Sequence, residues 1–153
     1  MKEIRWKTAI FSSTTKFFEN NLEIGFFKQR GWKDIYRAEI NGKKFRFETK
    51  GVFRQITTIY DDILDYKLAS VEFRNWKREA EVILNDGSKF SWTKLNFWNT
   101  KWQISNNLDL TISFKGSNFK GTAEADKYDD LLFMTAFFIF EYFENQTQTA
   151  AVA

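Results

Sequence analysis

Asp129-Asp130-Leu131-Leu132-Phe133-Met134-Thr135-Ala136-Phe137-Phe138-Ile139-Phe140-Glu141-Tyr142-Phe143-Glu144 is the stretch that decides the fold. Between residues 131 and 140 only Thr135 is polar. Apolar surface therefore runs round every side of a helix, where a helix lying on a surface would show a single stripe. Such a helix has to be enclosed. The run is too short to cross a bilayer, which takes about 20 apolar residues, so no transmembrane segment is expected. The paired acids at its start suit a helix N-terminus, where carboxylates meet unbonded N–H groups and the positive end of the dipole. A helix is expected over residues 129–144, inside a container made by the chain before it. Residues 1–145 then form one domain, and the small or polar residues 146–153 form a flexible tail.

The container reads as β-structure. Up to about Asp126 the pattern has period two, in short segments rich in Phe, Ile, Val, Thr, Tyr and Trp separated by Gly, Asn, Asp or Ser. Strands are expected near residues 3–11, 14–20, 22–28, 33–40, 43–50, 53–60, 64–74, 77–84, 88–95, 100–105, 108–115 and 119–126, about twelve in all. In residues 108–115 the even positions are apolar and the odd positions are polar, which gives one buried face and one wet face. Two turns set registers. Asn41-Gly42 is a two-residue type I′ signal that pairs Glu39 with Lys44 and Arg37 with Arg46, and puts Tyr36 and Ala38 on the face of Phe45 and Phe47. Asn85-Asp86-Gly87 works as a three-residue loop with Gly87 left-handed, because only this pairs Val82 with Phe90 and Ala80 with Trp92.

A dozen antiparallel strands with one wet face must turn the other around something, and the all-round apolar helix is the only candidate. The fold class is mainly β, a barrel enclosing its C-terminal helix. This plan resembles the tubby C-terminal, phospholipid scramblase and LURP-one-related superfamily, on strand count and on the terminal apolar run and without a diagnostic motif. The resemblance implies a twelve-stranded barrel threaded by a hydrophobic helix. Some members bind phosphoinositides through basic groups on the barrel wall, which implies a similar use of the Arg37/Arg46 face.

Composition narrows the chemistry. Of 153 residues 18 are Phe and 6 are Trp, so the core is built from bulky rings. There is no Cys and no His, which removes thiol nucleophiles, disulfides and the commonest general base and metal ligand. A non-enzymatic module with no cofactor and no metal is expected. No apolar leader follows the charged N-terminus, so a cytoplasmic protein is expected. The net charge of +3 hides an asymmetry: residues 1–60 hold 13 Lys/Arg against 6 Asp/Glu, whereas residues 129–153 hold four acids and no base.

The basic half supplies the candidate site. Arg37 opposite Arg46 is an unfavourable cross-strand pair that invites an anion, and a guanidinium fork suits phosphate or carboxylate. Lys44, Lys28 and Arg30 lie nearby, with Lys33 and Lys50 on neighbouring segments. The expected partner is an anionic lipid headgroup or a phosphate-bearing small molecule; nucleic acid is not expected. The structural alternative is that Arg37 and Arg46 splay into water or meet an acid from a third strand. A different function class, a lipocalin-like carrier of a small apolar ligand, would need the helix outside the barrel, and a hydrolase would need two converging carboxylates. The remaining motifs read as structure. Residues 116–122 have the two-glycine spacing of a phosphate loop, but Thr122 stands where Lys should be, so a hairpin turn is expected. Asp61, Asp62 and Asp65 read as a solvated turn, Ser12 to Thr15 as a surface turn, and Phe97-Trp98 with Trp102 as packing at the barrel rim in preference to a stacking platform for a base or sugar beside Lys94 and Lys101.

Overall fold

The computed structural model describes residues 1–29 and 35–152, with side chains described for 1–28 and 35–146. Twelve strands precede one helix: β1 (Lys2–Thr8), β2 (Thr14–Glu19), β3 (Leu22–Gln29), β4 (Ile35–Ile40), β5 (Lys43–Lys50), β6 (Ile56–Asp61), β7 (Lys67–Arg74), β8 (Glu79–Leu84), β9 (Lys89–Lys94), β10 (Lys101–Ser105), β11 (Thr111–Gly116), β12 (Lys120–Ala125) and α1 (Asp130–Val152). Each strand pairs antiparallel with its neighbours in sequence, and β1 pairs with β12 to close the barrel. Closure leaves no free sheet edge.

The turn chemistry sets the registers as the sequence requires. Asn41 and Gly42 take φ of 51° and 81°, and Arg37 lies opposite Arg46 with Glu39 opposite Lys44. Gly87 has φ of 89°, its N–H donates to the Leu84 carbonyl at 3.0 Å, and Val82 and Ala80 face Phe90 and Trp92. Some strands start later than the pattern suggests. Leu108 is 90% exposed, because the Asn106 carboxamide accepts from the N–H groups of Leu108, Asp109 and Leu110 at 3.0–3.2 Å and holds these residues in a loop before β11.

Helix α1 runs through the barrel, and residues 132–140 are all buried. Phe137 sets its edge against Trp6, Phe17 and Phe27 at 5.1–5.5 Å between centroids, Phe138 stacks on Phe47 at 4.7 Å, and Phe140 stacks on Trp102 at 3.9 Å. Each such ring contributes about 1.5–3 kcal/mol of burial. The Trp92 indole N–H donates to the Ala136 carbonyl at 3.0 Å, tying wall to helix. The interior is thus filled by protein, and the helix is inside, where the lipocalin-like alternative needed it outside. The Asp129 carboxylate caps the helix by accepting from the Leu132 N–H at 2.9 Å. Asp130 accepts from Asn41 Nδ2 and Lys43 Nζ, both at 2.9 Å, which pins the helix start to the β4–β5 turn. Burial pushes the Asp130 pKa up, but the bonds from Lys43 and Asn41 outweigh it and hold the carboxyl below its ordinary range.

The helix is longer than expected and reaches Val152, well past residue 144. Nothing after Glu144 stops it: there is no Gly or Pro, and three alanines follow. Asn145 is docked through a bond of 2.6 Å to the Tyr36 hydroxyl, and Gln146 donates to the Tyr142 hydroxyl at 2.8 Å. Among the described residues no helix is long and apolar enough to cross a membrane.

Candidate functional site

The Arg37/Arg46 pair lies where the register requires, with Lys28 opposite Arg37 on the other side. The protein fills the gap between the guanidiniums itself. Asp62, just past β6, accepts from Arg37 Nε at 3.2 Å and from Arg46 Nη1 at 2.8 Å. Arg46 also donates to Glu48 at 3.1 Å and Asp65 at 2.5 Å, and lies over the Tyr60 ring at 4.6 Å. Burial works against its charge, but the bonds from Asp65, Asp62 and Glu48 outweigh it, so its pKa lies above the ordinary guanidinium value. Three carboxylates meet two guanidiniums here, and the bridging acid comes from the turn that follows the third strand, β6, where the alternative reading placed it on the strand itself. Asp62 and Asp65 are used in this cluster, while Asp61 caps the turn by accepting from the N–H groups of Ile63 and Leu64 at 2.9 and 2.8 Å.

The other basic candidates are dispersed. Lys28 lies over the Phe26 ring at 5.0 Å. Lys44 is opposite Glu39 in register but forms no ion pair among the described residues. Lys50 ends β5 at the far end of the barrel from the Asn41-Gly42 turn. Arg30 and Lys33 lie outside the described residues.

A different basic surface emerges where the barrel closes. Lys7 on β1 is opposite Lys120 on β12, and Lys101 on β10 is opposite Lys115 on β11. Lys115 is opposite Thr122, which places it diagonally from Lys120. Directly opposed residues sit about 5 Å apart at Cβ and diagonal ones about 7–8 Å apart. None of these four lysines forms an ion pair among the described residues, while Arg5 beside them meets only the exposed Glu3, at 3.4 Å. An open groove of about 770 Å³ runs along this wall, lined by Arg5, Lys7, Phe18, Lys115, Lys120 and Thr122 among others.

Packing beneath the lysines fixes the wall. A Cβ on Gly121 would lie 2.2 Å from Trp6 Cζ2, so only glycine lets the indole lie under this hairpin. The Trp6 N–H donates to the Ser117 carbonyl at 2.7 Å, and the Thr8 hydroxyl donates to the Asn118 carbonyl at 2.7 Å. Residues 116–122 thus form the expected hairpin, with the Ser117 hydroxyl accepting from the Phe119 and Lys120 N–H groups at 3.2 and 3.4 Å.

The aromatic cluster of residues 97–102 divides. Trp102 is buried, but Phe97 and Trp98 are 82% and 77% exposed, edge to face at 5.4 Å. Their packing into the rim is therefore corrected: they project from the 95–100 loop, whose backbone Asn96 holds by accepting from the N–H groups of Thr100 and Lys101 at 3.0 and 3.2 Å. Comparison of the chain with family models, curated proteins and solved structures finds no match. A helix-filled barrel of twelve strands is the architecture that the superfamily resemblance implies, and it does not by itself show membership.

Proposed function

We propose that this protein is a non-enzymatic binding module for a multiply charged anion of the phosphate class, held on the outer wall made by β10, β11, β12 and β1. One observation carries the reading. Lys7/Lys120 and Lys101/Lys115 are two like-charged cross-strand pairs, side by side, that no acid neutralises among the described residues. Like charges in direct opposition destabilise a sheet, and an anion bridging them removes that cost. One phosphate matches the spacing of a direct pair, and a chain of phosphates or a polyphosphorylated ring spans the diagonal. The Arg37/Arg46 face is the weaker candidate because Asp62 already bridges it. A chain without His or Cys supports binding over catalysis.

The test is a thermal titration at matched ionic strength with inorganic tripolyphosphate, inositol hexakisphosphate and chloride. A ligand that binds only the native state at 100 times its Kd stabilises by about 2.7 kcal/mol, about 5–10 °C for a chain of this size. The phosphates raise the Tm of the wild type saturably, Lys115→Gln/Lys120→Gln loses the rise, and Arg37→Gln keeps it. Equal responses to tripolyphosphate and the inositol phosphate assign the site to phosphate charge alone. A response to the inositol phosphate only assigns it to a headgroup. Identical curves for wild type and the lysine variant refute the assignment.

A further inference from the structure

The connections that follow odd-numbered strands all lie at one mouth of the barrel, and those that follow even-numbered strands at the other, because every pairing is antiparallel. The two mouths differ. Five of the six loops of the first mouth are described, residues 9–13, 51–55, 75–78, 95–100 and 117–119, and each presents a large aromatic to solvent. Phe11 is 102% exposed, Phe53 100%, Trp76 83%, Phe97 82%, Trp98 77% and Phe119 54%. Scattered exposed apolar side chains are ordinary on a soluble protein. The loops of the opposite mouth expose the aliphatic Ile63, Leu64 and Leu108 and the aromatic Tyr66 at 48%, so exposed aromatics concentrate at the first mouth.

Charge is segregated in the same sense. The described loops of this mouth hold Arg54, Lys77 and Arg78 and no acid, whereas the loops of the opposite mouth hold six aspartates and one lysine. The adjoining strand ends add Lys7, Lys50, Lys101, Lys115 and Lys120. The acids at the aromatic mouth are few: Glu72 lies 3.8 Å from Arg54, Glu79 lies 4.0 Å from Arg74, and Glu141 and Glu144 are on the helix. Helix α1 leaves through this mouth, and its residues after Glu144 carry no charge.

We infer that the aromatic mouth docks end-on to an anionic lipid bilayer. Phe and Trp side chains on the loops enter the headgroup and upper acyl region, and the lysines around them face the lipid phosphates and carboxylates. Aromatic rings favour that interface, and basic residues within a Debye length of an anionic surface are attracted to it. A polar protein partner offers no match for several separate apolar tips ringed by cations, whereas a fluid bilayer accommodates each tip independently. The opposite mouth, rich in aspartate, points away from the membrane. The aromatic loops carry this inference on their own, so it stands or falls separately from the lysine-wall anion site, although Lys7, Lys101, Lys115 and Lys120 serve both.

The experiment is co-sedimentation of the full chain with vesicles of phosphatidylcholine, alone and with about 30 mol% phosphatidylserine, alongside quenching of Trp fluorescence by brominated lipid. Wild type pellets with the anionic vesicles and much less with neutral ones, added salt weakens binding, and brominated lipid quenches the exposed Trp76 and Trp98. Phe11→Ser and Phe53→Ser each lower the partition coefficient about tenfold, the smaller end of what one inserted ring contributes. Both residues are fully exposed, so the variants fold. Phe11→Ser/Phe53→Ser retains the wild-type thermal response to tripolyphosphate, which separates this surface from the lysine wall. Vesicle binding unaffected by these substitutions, or no binding to anionic vesicles, overturns the inference. So does concentration-dependent self-association that the same substitutions abolish, since the aromatics would then cover a second copy of the chain.

Discussion

Replacing Asp62 by Asn removes one carboxylate that two guanidiniums share, and the consequences follow from the geometry. Asp62 is 20% exposed, accepts from Arg46 at 2.8 Å, and accepts from Arg37 at 3.2 Å. A hydrogen bond to a charged group contributes about 1.5–3 kcal/mol. The Arg37 bond is discounted because that side chain is 38% exposed and screened by solvent. Arg46, 15% exposed, keeps Glu48 and Asp65, so its charge is not stranded. The expected net loss is about 2–3 kcal/mol, or about 5–10 °C in Tm. The loss shrinks in high salt, because part of it is the Arg37/Arg46 repulsion that Asp62 no longer offsets. Phosphate restores part of it in the variant by taking the vacated place, and does nothing at this hairpin in the wild type. Urea unfolding at low and high salt, with and without phosphate, measures all three effects. A loss below about 0.5 kcal/mol with an unchanged m-value would show the cluster to be an ordinary surface network, and the argument from a bridged arginine pair would fail.

Two further outcomes test the packing and the electrostatics of the helix. Gly121→Ala places a methyl 2.2 Å from Trp6 Cζ2, so the indole must move; a loss of about 2–4 kcal/mol by urea unfolding is expected, accompanied by a change in Trp fluorescence. Burial, and secondly Glu144, push the Glu141 pKa from 4.5 up to about 7. The folded state therefore holds a proton that the unfolded chain has lost, and stability falls as pH rises from about 4.5 to about 7. The fall is on the order of 2 kcal/mol after allowance for solvent, and Glu141→Gln flattens it in urea midpoints compared between about pH 5 and pH 8.

Local chemistry wrote most of the fold into the sequence. Asn41-Gly42 and Asn85-Asp86-Gly87 each dictate a register within a few residues, and the run from 131 to 140 needs an enclosure whatever surrounds it. The Arg37/Arg46 juxtaposition was legible for the same reason, being nine positions apart across one turn. Its neutralisation was not legible, because the place of Asp62 depends on how β6 pairs with β5 and on the bulge after Ile59. Lys7 and Lys120 were further out of reach: they meet only because β1 pairs with β12, a contact that no local turn announces. Lys115 was legible as an outward position of the 108–115 alternation, but the 106–110 loop that sets Lys101 against Lys115 depends on the Asn106 side chain. The exposure of Phe97 and Trp98 was missed because aromatic clusters are usually cores, and sequence spacing alone does not tell a tip from a rim.

The most direct measurement is an amide chemical-shift titration of the isotope-labelled chain with inorganic tripolyphosphate at constant ionic strength. Perturbations that saturate and centre on Lys7, Lys101, Lys115, Lys120 and Thr122, with those of Arg37, Arg46 and Asp62 unmoved, are the result predicted by an anion site at the barrel's closing seam. Shifts centred on Arg37 and Arg46, or no saturable shift anywhere, contradict it.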